Sequence, residues 1–318
     1  MFWERLTFNF FSFLFIGCGS GGYHFCNTLC PGFMKPGLIF TFIFFTLINF
    51  YMINILKKII IICIFFYLPF TSNAWGLLGH RIVGQIAESY LTPSAKKAIS
   101  KILGTESLAM AANWADFIKS DTTMSYISKW HYVDVNGGMS NAEFQAYLKA
   151  DTIADAYTKL NFLIKELKNK QLSHDKKVMY LRLLIHIVGD IHQPLHVGHP
   201  DDEGGNKIKV TWLGTPTNLH SVWDSRLIDF QQLSYTEYTD AINHTTVTQR
   251  TALQKQTLSD WFFQTYEVAQ KVYSDIKPDD KLSFQYNYHY IDIVNQQLVR
   301  GGVHLAGLLN SIFGVKTK

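Results

Sequence analysis

From residue 80 onward, apolar positions recur at helical spacing. Ile82, Ile86, Ala87 and Leu91 fall about one turn apart, which predicts a helix over 80–103. Thr92-Pro93-Ser94 restarts that helix, because proline suits a first turn, and Gly104 ends it. SLAMAANWADFIK predicts a second helix over 107–119. Trp130-His131-Tyr132-Val133-Asp134 is a β-like run before the Asn136-Gly137-Gly138 turn. Phe144, Leu148, Ile153, Tyr157, Leu160, Leu163 and Leu167 predict one long amphipathic helix over 140–170. Residues 175–197 are apolar nearly all round, so that helix should be buried, with Pro194 kinking or ending it. A Gly-rich acidic loop, a strand through NKIKVTWL and a Gly-Thr-Pro turn then predict a small hairpin. A short helix around 219–229 and helical segments over 232–276 and 281–311 follow, with Trp261, Phe262, Phe263 and Tyr266 as core aromatics. The pattern predicts a mostly α fold: a single α-helical domain with a small β-hairpin and no internal repeat.

The first 74 residues differ in kind. Residues 1–51 are rich in Phe and Gly and nearly uncharged, and read as an upstream over-call or a membrane segment. Residues 52–74 run from Met52 through Lys57-Lys58 and IIIICIFFYLPF to Thr71-Ser72-Asn73-Ala74. A basic start, an apolar run and a small-residue end predict a signal peptide cut before Trp75. The mature chain, 75–318, is then expected to be secreted or periplasmic, without a membrane span.

Removing that leader changes the charge and cysteine arguments. Arg5, Lys35, Lys57, Lys58 and Glu4 go with it, leaving 25 basic and 24 acidic residues. The pI near 8.7 of the whole chain is therefore no evidence for a broad nucleic-acid-binding face. A polyanion would have to be held by local charge or by metal. Cys18, Cys26, Cys30 and Cys63 all lie in the leader, so the mature chain has no disulfide and no thiolate ligand.

Candidate chemistry concentrates in residues 186–224, HIVGDIHQPLH through GGNKIKV to NLHSVWD. His186/Asp190 and His220/Asp224 are spaced i, i+4, so each pair faces one way from successive helical turns. Imidazole with carboxylate is a zinc-type ligand set. Charged or polar groups in the apolar helix 175–197 are costly unless paired or metal-bound, which favours a site there. Elsewhere single residues read blandly. Alone, His80 is a helix-start surface histidine, Asp116 a surface or capping acid, and His131 a core histidine. Asp201, Asp202 and Glu203 read as a solvated acidic loop. His244, His289 and His304 have no partner pattern and read as structural.

Taken together, WGLLGH (75–80), NWAD (113–116), WHYVD (130–134), HIVGDIHQPLH (186–196), GGNKI (204–208) and NLHSVWD (218–224) resemble the motifs of the zinc-dependent single-strand nucleases, the family of nuclease S-one and nuclease P-one. The resemblance covers essentially all of 75–318. It implies three Zn2+ ions. Asp116, His131, His186 and Asp190 would hold one; His196, His220 and Asp224 a second; and Trp75, through its α-amine and carbonyl, a third with His80, bridged by Asp190. Metal-activated water would attack phosphorus, with Asp116 orienting it and Lys119 contacting phosphate where the family usually has Arg. Tyr132 would stack a base, Asp134 would read its edge, and Asn206 would line the same cleft. Taken alone, Tyr132 also reads as a core aromatic.

The resemblance further implies single-stranded DNA and RNA and 3′-mononucleotides as substrates, 5′-phosphorylated products, and no obligate protein partner. Eukaryotic relatives carry disulfides, and this chain has none after the leader, as in bacterial secreted members. Two alternatives use the same ligands: a zinc-dependent phospholipase C, and a non-catalytic exported zinc-binding protein. The GGNKI and NLHSVWD pattern with Tyr132 and Asp134 favours the nuclease over the first. The complete ligand set with Lys119 argues against the second.

Overall fold

The computed structural model describes residues 50–57 and 75–314. The chain divides into two units, Met1–Phe70 and Thr71–Lys318. In the first, residues 50–57 are an exposed helical stretch; the rest of the proposed leader lies outside the described residues. No helix among the described residues is long and apolar enough to cross a membrane.

The second unit begins with α1 (Leu77–Ser89) and α2 (Pro93–Leu103), separated where the Thr92-Pro93 restart was expected. The Thr92 side chain accepts the Ala95 N–H, and Pro93 occupies the first turn. α1 is buried through Ile82, Val83 and Ile86. It lies so close to α3 (Leu108–Ala111) that a Cβ at Gly84 would sit 2.6 Å from the Leu108 carbonyl oxygen. The predicted 107–119 helix is two pieces, α3 and α4 (Trp114–Ile118), followed by a 3-10 helix over Thr122–His131.

The predicted 140–170 helix is also two, α5 (Asn141–Ala150) and α6 (Ala156–Leu167). Asp155 stops the run by accepting the Thr158 N–H and capping α6. Ile153, counted as core by periodicity, falls in the break and is 60% exposed. α7 (His174–Asp190) is the buried helix, with every residue from Leu183 to Asp190 inside. It ends before Pro194, which opens a 3-10 turn over Pro194–Val197.

β1 (Lys209–Trp212) pairs antiparallel with β2 (Thr215–Asn218), Lys209 opposite Asn218 and Trp212 opposite Thr215. The hairpin turns at Leu213-Gly214, both with positive φ, rather than at Gly-Thr-Pro. Pro216 already lies in β2, an edge strand, where a missing N–H is tolerated. A third strand, β3 (Lys281–Leu282), pairs parallel with the other side of β1.

α8 (Leu219–Ser221), a π-helical turn over Val222–Arg226 and α9 (Leu227–Asp229) make up the predicted 219–229 helix. Residues 232–276 hold three helices: α10 (Tyr235–Ile242), α11 (Val247–Gln254) and α12 (Leu258–Ser274). Ser234, Thr246 and Thr257 each cap one of them in a reciprocal capping box. α13 (Phe284–Phe313) closes the unit and buries Tyr286, Tyr290, Val294, Leu298 and Val303. Helices dominate and the sheet is small, as the hydrophobic pattern predicts; one extra strand joins the hairpin.

Candidate metal centre

Six separate stretches of chain bring their histidines and aspartates to one place. α7 supplies His186 and Asp190, one turn apart and fully buried. α1 supplies His80, which is not the surface residue that its position suggests but fully buried. Gly189 makes that possible, since a Cβ there would lie 2.6 Å from His80 Nδ1. The His80 ring stacks on His186 at 3.9 Å and 17°. α4 supplies Asp116, and His131 ends the 3-10 helix that follows. The Pro194–Val197 turn supplies His196.

His220 sits in α8 and Asp224 in the π-helical turn. The wider turn brings i and i+4 closer to eclipsed than an α-turn does. His220 Nε2 and Asp224 Oδ2 are 3.2 Å apart. Asp190 is the hub. His131 Nδ1 lies 2.9 Å from its Oδ2, His186 Nε2 3.2 Å from the same oxygen, and His80 Nε2 3.3 Å from Oδ1. His196 joins the two halves, at 3.7 Å from Asp190 and 3.7 Å from Asp224.

The other ring nitrogens are fixed from outside. Nδ1–H of His186 donates to the Ala112 carbonyl at 2.6 Å, that of His196 to His131 O at 2.7 Å, and that of His220 to Gly204 O at 2.6 Å. Each bond selects the tautomer whose Nε2 is free to accept a metal. Gln193, fully buried, donates from its amide to Asp224 Oδ1 and accepts the Leu195 N–H.

Burial and charge pull the protonation states in opposite directions. Burial favours a neutral Asp190, but His186 and His131 hold its carboxyl well below the usual range. Asp116 behaves alike: burial opposes, and His186, His80 and Lys119 lower it. Burial lowers His131 to about 4, against the pull of Asp190. His196 is raised to about 9, because its bond to Asp224 and the charge of Asp190 outweigh burial.

The donor set fits divalent zinc, with imidazole and carboxylate oxygen and no thiolate. Three groups of donor atoms each lie within 4.8 Å of one another: His80, His186 and Asp190; Asp116, His131 and His186; His196, His220 and Asp224. The last is the set expected for the second zinc. The first two share His186 and divide the residues expected around the other two ions. Among the described residues, His80 Nδ1 and Nε2, Asp116 Oδ2, His131 Nε2, Asp190 Oδ1 and His196 Nε2 are buried without a hydrogen-bond partner. Native interiors leave such atoms unpaired only where an ion, a water or a task accounts for them. Trp75 is fully buried, and the next N–H, of Gly76, donates to Asp224 O at 2.7 Å.

The centre opens into a cleft of about 320 Å³, lined by Lys119, Tyr132, Asp134, Glu203 and Asn206 together with His131, His196 and His220. Lys119 Nζ is 2.7 Å from Asp116 Oδ1. Of the β-like run over 130–134, Trp130 and His131 still belong to the 3-10 helix, and the chain is extended only from Tyr132 and lies outside the sheet; Val133 and Val135 N–H donate to His196 O and Gly198 O. Its alternation turns His131, Val133 and Val135 inward and Tyr132 and Asp134 outward. Tyr132 is 36% exposed, a cleft residue rather than a core aromatic. Burial, then Asp202 and Glu203, raise the Asp134 carboxyl. A larger groove of about 480 Å³ beside Ile242, Leu253 and Val299 holds no such cluster of donors.

Sequence reading missed several supporting residues. Gln193 hides inside a motif dominated by its histidines. His192, also buried, bonds Val188 O and reaches His304 Nδ1 at 2.7 Å, so His304 is structural as expected and His192 is its partner. Asp202 is only half solvated: its Oδ1 accepts the Gly205 N–H and the Tyr273 hydroxyl.

The family model of the S1/P1 nucleases matches residues 75–314. Endonuclease 4 of Arabidopsis thaliana is 30% identical over 278 residues, covering 77% of this chain and 91% of that protein. Endonuclease 2 of the same plant is 29% identical over 292 residues, 82% of this chain and 98% of that protein. Nuclease P1 of Penicillium citrinum is 32% identical over 159 residues, 48% of this chain and 57% of that protein. The family match starts at Trp75 and takes in every buried histidine and aspartate of the centre: the chain belongs to the S1/P1 nuclease family.

Proposed function

We propose that the mature chain, freed of residues 1–74, is a secreted trinuclear-zinc endonuclease. It cuts single-stranded DNA and RNA to 5′-phosphorylated products and also removes the phosphate of 3′-mononucleotides. The observation that carries this reading is the set of buried, unpartnered donor atoms converging on Asp190 beneath a cleft that holds an exposed aromatic and a lysine.

Asp116, His131, His186 and Asp190 would hold one zinc, and His196, His220 and Asp224 a second. The Trp75 α-amine and carbonyl, with His80 and Asp190, would hold the third. Bound zinc supplies water with a pKa lowered to about 7 and neutralises phosphoryl oxygens. Lys119 presents a cation to the transferring phosphate and holds Asp116 in place. Asp116 accepts a proton or orients water through the oxygen that Lys119 leaves free. Tyr132 gives an unstacked base a face to lie on, a contact of roughly 1–3 kcal/mol that tolerates any sequence. A base held in a duplex cannot reach it, which accounts for a single-strand preference. Asp134 accepts from donors on the base edge, and Asn206 lines the same cleft.

The test is cleavage of single-stranded DNA and RNA with and without chelator, paired with elemental analysis of the processed protein. Three zinc ions per chain and chelator-sensitive cleavage are expected. Hydrolysis of phosphatidylcholine vesicles without cleavage of denatured DNA would assign the site to a phospholipase instead. Zinc binding without either activity would leave a non-catalytic binding protein.

A further inference from the structure

The loop from Gly198 to Asn206 forms one wall of the cleft, and its backbone is unusual. Glu203, Gly204 and Gly205 have φ of 55°, 60° and 80°, three left-handed residues in a row. The two glycines adopt this conformation at no steric cost, but for Glu203 it persists only where the surroundings enforce it. The enforcement comes from α12, a helix that carries none of the nine candidate ligands. The Tyr273 ring stacks on His199 at 3.9 Å and 7°. Its hydroxyl accepts the His199 N–H at 3.1 Å and donates to Asp202 Oδ1 at 3.0 Å. Burial raises the Tyr273 hydroxyl well above its ordinary value, so it stays a donor.

The same Asp202 oxygen accepts the Gly205 N–H at 2.6 Å. That N–H belongs to the peptide unit whose carbonyl is Gly204 O, and Gly204 O accepts His220 Nδ1–H at 2.6 Å. One peptide plane is thus gripped on its N–H by a carboxylate and offers its C=O to a candidate zinc ligand. A plane flanked by two glycines in left-handed conformation is free to flip unless something holds it. A carboxylate on the N–H also polarises the carbonyl, which strengthens its pull on the imidazole proton. Fixing and polarising the far nitrogen of a ligand histidine sets its orientation and raises its basicity.

We propose that Asp202, locked by Tyr273, is a positioning residue for His220, acting through the Gly204–Gly205 peptide to raise the zinc affinity of the His196, His220 and Asp224 group. The proposal rests on the reading of that group as a zinc site. Asp202 is then neither a solvated surface charge nor a direct cation ligand.

Zinc-loaded protein beginning at Trp75 would be titrated with a competing chromogenic chelator, and the thermal midpoints of the metal-free forms measured beside it. Asp202→Ala is expected to weaken one of the three zinc ions by roughly tenfold or more and leave two unchanged. Tyr273→Phe keeps the ring and its stacking but loses the hydroxyl, and should weaken the same ion by a few fold. Asp202→Asn retains an acceptor oxygen for both donors and should recover most of the affinity. In a His220→Ala background Asp202→Ala should have no further effect on zinc release.

Wild-type affinity at all three ions in Asp202→Ala and Tyr273→Phe overturns the proposal. So does equal weakening of all three in step with a lowered thermal midpoint, which marks a general packing role. Should Asp202→Ala fail to fold, Tyr273→Phe decides by the same criteria. Failure of the underlying reading looks different: His220→Ala would then bind as much zinc as the wild type.

Discussion

Lys119 is the residue at which charge and specificity can be separated. It lies three residues after Asp116, 2.7 Å from its carboxylate and partly open to the cleft. On the proposed mechanism a cation at this point would stabilise charge that grows in the transition state, so its loss should fall on kcat more than on KM. Lys119→Ala is expected to lower kcat on single-stranded DNA by roughly 10²-fold. Lys119→Arg should keep near wild-type kcat, because guanidinium can hold both phosphate and Asp116 through its fork. Zinc content must stay at the wild-type level in both variants, since the same carboxylate is a proposed metal ligand. An Arg variant as impaired as the Ala variant would sink the assignment.

At the scale of elements, what the sequence reveals depends on where a residue's partner lies along the chain. His186/Asp190 and His220/Asp224 are legible because both partners sit on one short stretch and share a face. The burial of the second half of α7 is legible because nothing polar but those ligands interrupts it from Leu183 to Asp190. His80 is not, since its burial depends on Gly189, more than a hundred residues away. Asp202 and Tyr273 meet across 71 residues, and no local pattern marks them. Periodicity also runs past stops made of side-chain bonds, as at Asp155 between α5 and α6.

That cap has a measurable consequence. Burial and the neighbouring Asp151 side chain raise the Asp155 carboxyl from 3.8 to about 7, against the bonds from Thr158. At low pH both folded and unfolded chains hold this proton, and it costs nothing. Between about pH 4 and 7 the unfolded chain releases it while the folded chain keeps it, so stability falls as pH rises. Above pH 7 the full penalty remains. Asp155→Asn keeps an acceptor for the Thr158 N–H and removes the charge. Its thermal midpoint relative to wild type should climb from pH 4 to 7 and then level off. A difference that does not vary with pH would refute the account.

For the molecule as a whole, the start of the chain and the centre of the fold are one problem. Trp75 is fully buried, Gly76 is hydrogen-bonded to the Asp224 backbone, and α1 carries His80 against His186. The first residues of the family match therefore lie among the candidate ligands rather than at a loose end. His80 and Asp190 offer too few side-chain donors to saturate a zinc ion by themselves, and zinc favours four ligands. A terminal amine and carbonyl on Trp75 would complete the set, and an amide nitrogen in mid-chain cannot replace the amine. Removal of residues 52–74 would then be the step that creates a ligand, coupling export to activity. Protein beginning at Trp75 is expected to bind three zinc ions and cleave single-stranded DNA. Protein with one methionine before Trp75 should fold, bind two, and cleave near background. Elemental analysis with the cleavage assay decides it: three ions and full activity in the extended protein would show that the third site does not use the terminus.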